Sequence, residues 1–406
     1  MLRYQDYRQH VEQLLSAAIS AADPAAAVRR VLRRADGLLH IGDLTYDLEL
    51  GHVYLVSVGK AAAPMAEAAI EILGDDLHSA IVISKKGSDT AVELADRQNP
   101  ALTLLEANHP VSGAESVRAT QVVIHTLAQS GDDDLVLCLI SGGTSALLTL
   151  PVLPLADWQN LTNALLASGC TIEELNTVRR QLDAVKGGGL THAAAPAACT
   201  SLILSDVIGN PLAAIGSGPT VITNESPDDA LAILERYGIQ GSVETAVWQT
   251  LNQKLSVGKA TLPSTPAEND HLIIADLRSA AQAALTKAAQ LGFISQILTT
   301  HLEGEASEAG RFLAALAKDC NQGHCLILGG ETTVTLQGRG LGGRNQEMAL
   351  SAAIALAGWP NRVVFCLATD GEDGPTSAAG AVVSGETAVH AQQHQLNPQA
   401  YLQNND

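Results

Sequence analysis

The sequence has few aromatic residues, few cysteines and no long apolar run. Phe, Trp and Tyr together supply 3% of the 406 residues, so the core has to be built from Ala, Leu, Ile and Val. The six cysteines are scattered and form no CxxC pair, which disfavours disulfides and a zinc site and predicts a reducing cytoplasm. No apolar stretch reaches the roughly 20 residues that a transmembrane helix needs, so we expect no membrane partner.

The chain is also short of positive charge. Its 24 Lys and Arg residues stand against 43 Asp and Glu, for a formal net charge of −19. A field of this sign repels phosphate backbones, so we expect small-molecule substrates and no nucleic-acid partner. An anionic substrate would need a site with locally concentrated positive charge. A homodimer is left open, because nothing in the sequence marks a subunit interface.

Eight apolar runs alternate with Ala-rich stretches of helical character. Because the runs are near-continuous, they predict strands buried on both faces, as in parallel sheets covered by helices. The order of strand, turn, helix and strand is typical of βαβ units and predicts a doubly wound α/β fold. The predicted strands are VYLVSV (53–58), SAIVIS (79–84), DLVLCLI (134–140), TSLILSD (200–206), HLIIAD (271–276), SQILTT (295–300), HCLILGG (324–330) and RVVFCLA (362–368).

The length of the chain predicts two domains. Residues 256–270, SVGKATLPSTPAEND, cluster Pro, Ser, Thr and Gly, which predicts a linker and gives domains at 1–255 and 256–406. In α/β proteins of this kind, ligands bind at the carboxyl ends of the strands, often between domains. The loops that follow the apolar runs are therefore where we expect the chemistry.

The loops after the first and third runs predict anion sites. Lys60 follows Gly59 at the start of a helix, where a cation opposes the helix dipole unless an anionic ligand lies between them. A solvated loop lysine is the other interpretation. The loop after the third run combines hydroxyls with glycines, which predicts an anion nest or, alternatively, an ordinary N-capped helix. Its residues are Ser141, Gly142, Gly143, Thr144 and Ser145.

Two further segments place charge close to the ends of elements. NTVRRQLDAVKGGGL (176–190) predicts a helix with Arg179, Asp183 and Lys186 on one face, followed by three glycines. Such a face is usually solvated, although the glycine backbone can also approach a ligand. Asp206 ends the fourth run, where a carboxylate can serve as a general base, bind metal through water, or simply cap a turn.

Residues 329–353 have the highest density of glycine and arginine. One strand closes on Gly329, Gly330 and Glu331, and the loop 338–343 follows before Arg344 enters a helix. Backbone N–H groups, a helix N-terminus and a guanidinium together predict binding of phosphate. A flexible hairpin loop is the alternative. The loop glycines that we expect to contact phosphate are Gly340, Gly342 and Gly343.

A cluster of carboxylates follows the last apolar run. Asp370, Glu372 and Asp373 lie within four residues of one another in ATDGEDGPTSAAGA (368–381). Carboxylate oxygens suit Mg²⁺, so Asp370 and Asp373 are predicted metal ligands. An Asp-Gly turn without a metal is the competing interpretation.

The set of motifs resembles the type II glycerate kinases, whose C-terminal part is called the MOFRL domain. The resemblance implies transfer of phosphate from ATP, with Mg²⁺, to D-glycerate to give 2-phosphoglycerate. It also implies a Rossmann-like N-terminal domain, a smaller α/β C-terminal domain and an active cleft between them. The motifs occur in the order SVGKAAAPMAEAA, NHPV (108–111), LISGGTSALL, NTVRRQLDAVKGG, LSDVIGNPLAAIGSGPT, LEGEA (302–306), GGETTVTLQGRGLGGRNQE and ATDGEDGPTSAAGA.

The resemblance also assigns roles to residues. The essential lysine of the family falls on Lys60 and its essential arginine on Arg344. This sequence departs from the pattern at Asn210, where the family often has Asp, and at Ser377, where it often has Asp or Glu. Similar proteins continue past the position of Asp406 through a segment like TGPTGTNV, so we expect part of a phosphate or substrate loop to be missing.

The resulting hypothesis is a phosphoryl transfer in which two distant cations act on one group. Lys60 and Arg344 would flank the γ-phosphate, while N–H groups of the loops 141–145 and 338–343 would hold other phosphate or carboxylate oxygens. Asp206 would orient or deprotonate the 2-hydroxyl of glycerate. The competing hypotheses are a nicotinamide-dependent hydroxypyruvate reductase, for which a GxGxxG fingerprint is missing, and a non-catalytic binding protein.

Overall fold

The computed structural model describes residues 4–97, 99–239, 245–257 and 268–406. By internal contacts the chain divides into two compact units, which we call the central unit (Pro24–Ile274) and the terminal unit (Met1–Asp23 with Ala275–Asp406). Most of the predicted linker lies outside the described residues, so the boundary between residues 255 and 256 stays a prediction. The contact-based division assigns the first helix to the terminal unit, which a single cut in the chain does not anticipate.

The described helices and strands alternate along most of the chain. The helices are α1 (Tyr4–Ala22), α2 (Pro24–Val31), α3 (Ala62–Leu73), α4 (Asp89–Ala95), α5 (Ala114–Leu127), α6 (Thr144–Leu147), α7 (Leu155–Ser168), α8 (Ile172–Leu182), α9 (Gly189–Ala194), α10 (Pro227–Arg236), α11 (Thr245–Val257), α12 (Leu277–Gln290), α13 (Ala306–Asp319), α14 (Arg344–Ala355), α15 (Thr387–Gln393) and α16 (Pro398–Gln403). The strands are β1 (Leu32–Ala35), β2 (Leu38–Ile41), β3 (Leu44–Asp47), β4 (Val53–Val58), β5 (Leu77–Lys85), β6 (Leu102–Ala107), β7 (Leu135–Ile140), β8 (Ala198–Leu204), β9 (Asn269–Ala275), β10 (Ile294–Leu302), β11 (His324–Gly330), β12 (Val363–Leu367) and β13 (Gly380–Ser384). None of the described helices combines the length and the apolar character needed to cross a membrane.

The central unit is built on a six-stranded sheet in the order β6-β5-β4-β7-β8-β9. The pairs that join β6 through β8 are all parallel, and every residue of β4 and β7 is buried. Numbered from β4, the order reads 3-2-1-4-5-6, in which the chain reverses its direction of winding between β4 and β7. Ligands of open α/β sheets bind beside such a switch point, outside the carboxyl ends of the strands. The predicted α/β fold is confirmed.

The terminal unit contains a parallel pair, β10 with β11, and an antiparallel pair, β12 with β13. Its core forms where α13 and α14 pack through small residues: a Cβ added to Gly310 would lie 2.2 Å from the carbonyl oxygen of Met348. The prediction that the apolar runs are buried on both faces is wrong for β10, whose residues are exposed or partly buried, and for β11, whose residues are all partly buried.

All eight predicted strands are present, and the described residues form five further strands that were not predicted. β1, β2 and β3 form an antiparallel meander, β6 lies at the edge of the central sheet, and β13 pairs with β12. These strands carry polar residues or are short, so they lack the continuous apolar run on which the prediction relied. The omission of β6 has a functional consequence, because the loop after it belongs to the candidate site.

Candidate functional site

The loops after β4 and β7 are locked together at the switch point. The N–H of Lys60 donates to the carbonyl of Gly142 over 2.8 Å, and the N–H of Ala61 donates to Ser141 Oγ over 3.1 Å. Gly59 has a φ of 129°, and a Cβ there would lie 2.1 Å from Ser141 Oγ. Glycine at this position is therefore required both by the backbone conformation and by the approach of the two loops.

The loop after β7, residues 141–145, is called the second loop below. Three side chains converge on its glycine pair, Gly142 and Gly143. A Cβ on Gly142 would lie 2.1 Å from Asp206 Oδ2. A Cβ on Gly143 would lie 3.1 Å from His109 Cδ2 and 3.5 Å from Lys60 Cγ. The structure thus brings the predicted Lys60 and Asp206 to two adjacent glycines, Lys60 beside Gly143 and Asp206 beside Gly142, with both residues exposed to solvent. Their assigned roles remain predictions.

His109 is a member of this site that the sequence analysis did not single out. It occurs in the NHPV segment, directly after β6. Thr103 and Glu106 interrupt the apolar run LTLLEA, so the pattern does not predict β6 or indicate that the loop after it carries a functional residue. The NHPV motif was the signal that could have led to this histidine.

The hydroxyls of Thr144 and Ser145 both have hydrogen-bond partners within the protein. Thr144 is buried and its Oγ1 donates to the carbonyl of Ser141 over 2.7 Å, so this hydroxyl holds the loop. Ser145 Oγ instead lies 2.7 Å from Ser217 Oγ. Among the described residues, the N–H groups of Gly142 and Gly143 have no hydrogen-bond acceptor. These two N–H groups lie beside a lysine and can therefore bind an anion by donating hydrogen bonds to it.

The predicted charged helix face of residues 176–190 is wrong in its second half. Helix α8 ends at Leu182, and Asp183 has an extended backbone that bridges to Pro151. The Asp183 carboxylate is buried and accepts from Thr149 Oγ1 over 2.5 Å and from the N–H of Val185 over 3.0 Å. The charges therefore point into the protein, because the chain turns inward before the glycines.

The buried ammonium group of Lys186 is hydrogen-bonded to the backbone at the end of the second loop. Its Nζ donates to the carbonyls of Ser145 over 2.8 Å and of Leu148 over 3.0 Å, and lies 3.9 Å from Asp183 Oδ2. Burial lowers the pKa of Lys186 from its ordinary value of 10.5 to about 8, although Asp183 opposes the shift, and Arg179 adds to it.

The shift predicts how stability depends on pH. Between pH 8 and 10.5 the unfolded chain keeps the proton of Lys186 while the folded protein gives it up, so the free energy of unfolding rises with pH. Relative to a Lys186→Met variant, the wild type should gain about 3 kcal/mol over this interval. Urea unfolding of both proteins at several pH values, followed by circular dichroism, measures the difference. If the difference in free energy of unfolding between the two proteins does not change with pH, the lowered pKa of Lys186 is contradicted.

In the terminal unit the predicted Glu331 and Arg344 are partners. Arg344 Nη1 donates to Glu331 Oε1 over 2.5 Å, and about 40% of each side chain is exposed (42% and 40%). Gly330 lies so close to β10 that a Cβ would be 2.1 Å from the carbonyl oxygen of Leu302. This glycine is therefore required by strand packing. Binding of phosphate by Gly329, Gly330 and Glu331 stays a prediction.

The glycine loop 338–343 packs against the last residues of the described chain. The N–H of Gly338 donates to Asn405 Oδ1 over 2.9 Å, and the N–H of Gly340 donates to the carbonyl of Asn404 over 2.8 Å. A Cβ on Gly340 would lie 2.4 Å from Asp406 Cβ. Close packing against the end of the chain therefore explains why glycine is needed in this loop. Phosphate binding by Gly340, Gly342 and Gly343 stays a prediction.

The predicted metal ligands differ in their surroundings. Asp373 is buried, and its Oδ1 accepts from the N–H of Asn345 over 3.0 Å while its Oδ2 accepts from the N–H of Gln346 over 2.8 Å. It caps α14, so a bond to Mg²⁺ would compete with these contacts. Asp370 is exposed. Within the part of the chain that the structure describes, no group of three or more His, Cys, Asp or Glu side chains could hold a metal ion. Asp373 does not fit a resident Mg²⁺ site.

The capping role of Asp373 predicts a loss of stability on substitution. In Asp373→Asn the amide nitrogen faces backbone N–H donors, so the free energy of unfolding should fall by about 2 kcal/mol. Asp319→Asn is the matched control, because Asp319 is exposed at the end of α13, and it should change stability by less than about 0.5 kcal/mol. Thermal unfolding of the three proteins compares them. Equal stability of the two variants would contradict the capping role.

These features define an α/β protein whose central sheet presents a cation, a carboxylate and an imidazole around a glycine pair at the switch point. Residues 10–252 match the family described as a domain of unknown function (DUF4147), and residues 324–406 match the MOFRL family. The chain is 39% identical to the D-glycerate 2-kinase of Thermotoga maritima over 407 residues, covering 97% of this chain and 90% of the relative. It is 35% identical to the glycerate kinase of Homo sapiens over 456 residues, covering 98% and 87%.

A solved structure agrees with the sequence relatives. The crystal structure of glycerate kinase from Thermotoga maritima matches with a TM-score of 0.84 and 37% identity, over 99% of this chain and 92% of that chain. The chain belongs to the glycerate kinases of the MOFRL family.

Proposed function

We propose that the protein transfers the γ-phosphoryl group of ATP to the 2-hydroxyl of D-glycerate. The observation that carries this proposal is the convergence of Lys60 and Asp206 on Gly142 and Gly143 at the carboxyl ends of the central strands. A cation and a carboxylate on one glycine pair suit the reaction, because phosphoryl transfer needs stabilisation of charge together with an oriented hydroxyl. The names of the relatives supply glycerate as the acceptor.

The central unit provides three groups for the chemistry. In this proposal the hydroxyl oxygen of glycerate forms a bond to the γ-phosphorus, the bond to ADP breaks, and Asp206 accepts the hydroxyl proton. Lys60 stabilises charge on the transferring oxygens. The N–H groups of Gly142 and Gly143 donate to the same oxygens, which costs little reorganisation because the loop is already held by its own hydrogen bonds.

Arg344 of the terminal unit completes the proposal. Its guanidinium, now paired with Glu331, contacts the transferring phosphoryl group, for which its planar pair of donors is suited. Mg²⁺ arrives as the companion of ATP and is part of the substrate. It supplies charge neutralisation on the phosphates, and Asp370 is the exposed carboxylate that remains as a predicted contact. A cytoplasmic location and a homodimer are also part of the proposal.

A coupled ADP-release assay with D-glycerate and MgATP tests the function. ADP release that depends on D-glycerate supports the proposal. A second arm supplies NADH and hydroxypyruvate without ATP. Oxidation of NADH in that arm, with no ADP in the first, would contradict the proposal and favour the reductase.

A further inference from the structure

Two adjacent arginines at the end of α8 have very different surroundings. Arg180 forms an ion pair with Glu225 through Nε and Nη2 and donates from Nη1 to the carbonyl of Ala213 over 2.9 Å. Arg179 donates from Nη1 to Ser145 Oγ over 3.2 Å. Its Nε is buried and has no hydrogen-bond partner among the described residues. The guanidinium of Arg180 is therefore paired at all three nitrogens, whereas Nε of Arg179 makes no hydrogen bond to the described residues.

The charges around Arg179 do not balance. Arg179 and Lys186 both donate to Ser145, and Asp183 is the carboxylate that acts on both cations. Asp183 already accepts from Thr149 Oγ1 and from backbone N–H groups, and no carboxylate of the described chain forms an ion pair with Arg179. Burial lowers the pKa of Arg179. A partly buried cation without an anion is costly, and an anionic ligand would remove that cost.

The position of Arg179 indicates which anion this is. Ser145, which accepts from Arg179, lies at one end of the loop, and Gly142, which contacts Asp206, lies near the other. These two positions are three residues apart in the chain, and helix α6 begins between them at Thr144. A small hydroxy acid that spans this short loop would meet Asp206 with its hydroxyl and Arg179 with its carboxylate.

We infer that Arg179, which Ser145 positions by accepting from its Nη1, binds the carboxylate of the acceptor acid and so selects a hydroxy acid over a neutral polyol. Ser145 Oγ is held in place by Ser217 Oγ, which in turn donates to Asn176 Oδ1 over 2.9 Å. This inference rests on the proposed function, since it names the second contact of the same substrate. It differs from the expectation that the hydroxyl of Ser145 binds phosphate.

Steady-state kinetics of Arg179→Gln test the inference. The KM for D-glycerate should rise about 10- to 100-fold, because a charged hydrogen bond to the carboxylate is lost, while the KM for ATP changes less than about twofold. Arg179→Lys keeps the charge, so its KM for D-glycerate should lie between those of the wild type and of Arg179→Gln. Arg118→Gln is the matched control, because Arg118 is exposed on α5 and pairs with Glu115, and it should leave both KM values unchanged.

Calorimetric titration with D-glycerate and with glycerol gives a readout independent of turnover. Wild type should bind D-glycerate and the Gln variant should bind it more weakly by the same factor, with glycerol weak in both. Binding without turnover in the wild type would refute the proposed function and leave this inference standing. An unchanged KM for D-glycerate in a folded Gln variant, or a rise in the KM for ATP alone, would overturn the inference.

Discussion

Replacement of Lys60 by Met should lower kcat by about 1,000-fold with little change in the unfolding temperature. The Lys60 side chain lies beside Gly143, next to the Gly142 that Asp206 approaches, and the Lys60 backbone N–H, which donates to Gly142, is retained in the variant. The substitution therefore removes the ammonium and leaves the loop in place. Loss of one preorganised charged donor at a transferring phosphoryl group typically costs between about 100- and 1,000-fold, and more for an arginine finger.

Two variants make this result specific. Lys86→Met removes an exposed lysine after β5 and should keep kcat within about twofold. Lys60→Arg keeps the charge and should retain more activity than the Met variant. If Lys60→Met keeps kcat within tenfold of the wild type, Lys60 does not act on the transferring group.

Replacement of Arg344 by Lys should lower kcat by about 100-fold. Lysine is a point charge and cannot reproduce the planar pair of donors with which a guanidinium holds phosphate. The side chain is well exposed, so the change should alter stability by less than about 1 kcal/mol. Steady-state kinetics with saturating MgATP and D-glycerate measure the effect.

Arg311→Lys is the control for Arg344. Arg311 is exposed on α13 and pairs with Glu308 three residues before it, so its substitution should leave kcat unchanged. Near-normal turnover of Arg344→Lys would remove Arg344 from the mechanism and would leave the ion pair with Glu331 as its only assigned role.

The fold could be predicted from the sequence wherever a strand is a continuous apolar run. β4 and β7 are such runs, and their buried positions follow from composition alone. β6 and β1 could not be found in this way, since LTLLEA contains Thr103 and Glu106, and LRRA contains Arg33 and Arg34. An edge strand or a short antiparallel meander buries only part of its residues, so its sequence carries a weaker pattern.

The candidate site could be predicted where its residues directly follow a strand. Lys60 and Asp206 were found in this way, and the structure brings them to one glycine pair. Contacts between residues far apart in the sequence could not be found. Asn405 accepts from Gly338 across 67 positions, and Arg179 reaches Ser145 across 34. Such contacts depend on how elements pack, and a local pattern does not record that packing.

Phosphorus NMR of the product tests the central claim most directly. Wild-type protein is incubated with D-glycerate and MgATP, and the proton-coupled phosphorus spectrum is recorded. Carbon 2 of glycerate carries one hydrogen and carbon 3 carries two. The account predicts a new phosphomonoester signal split into a doublet, formed together with ADP. A triplet would place the phosphate on the 3-hydroxyl, and a spectrum of unchanged ATP would contradict phosphoryl transfer to glycerate altogether.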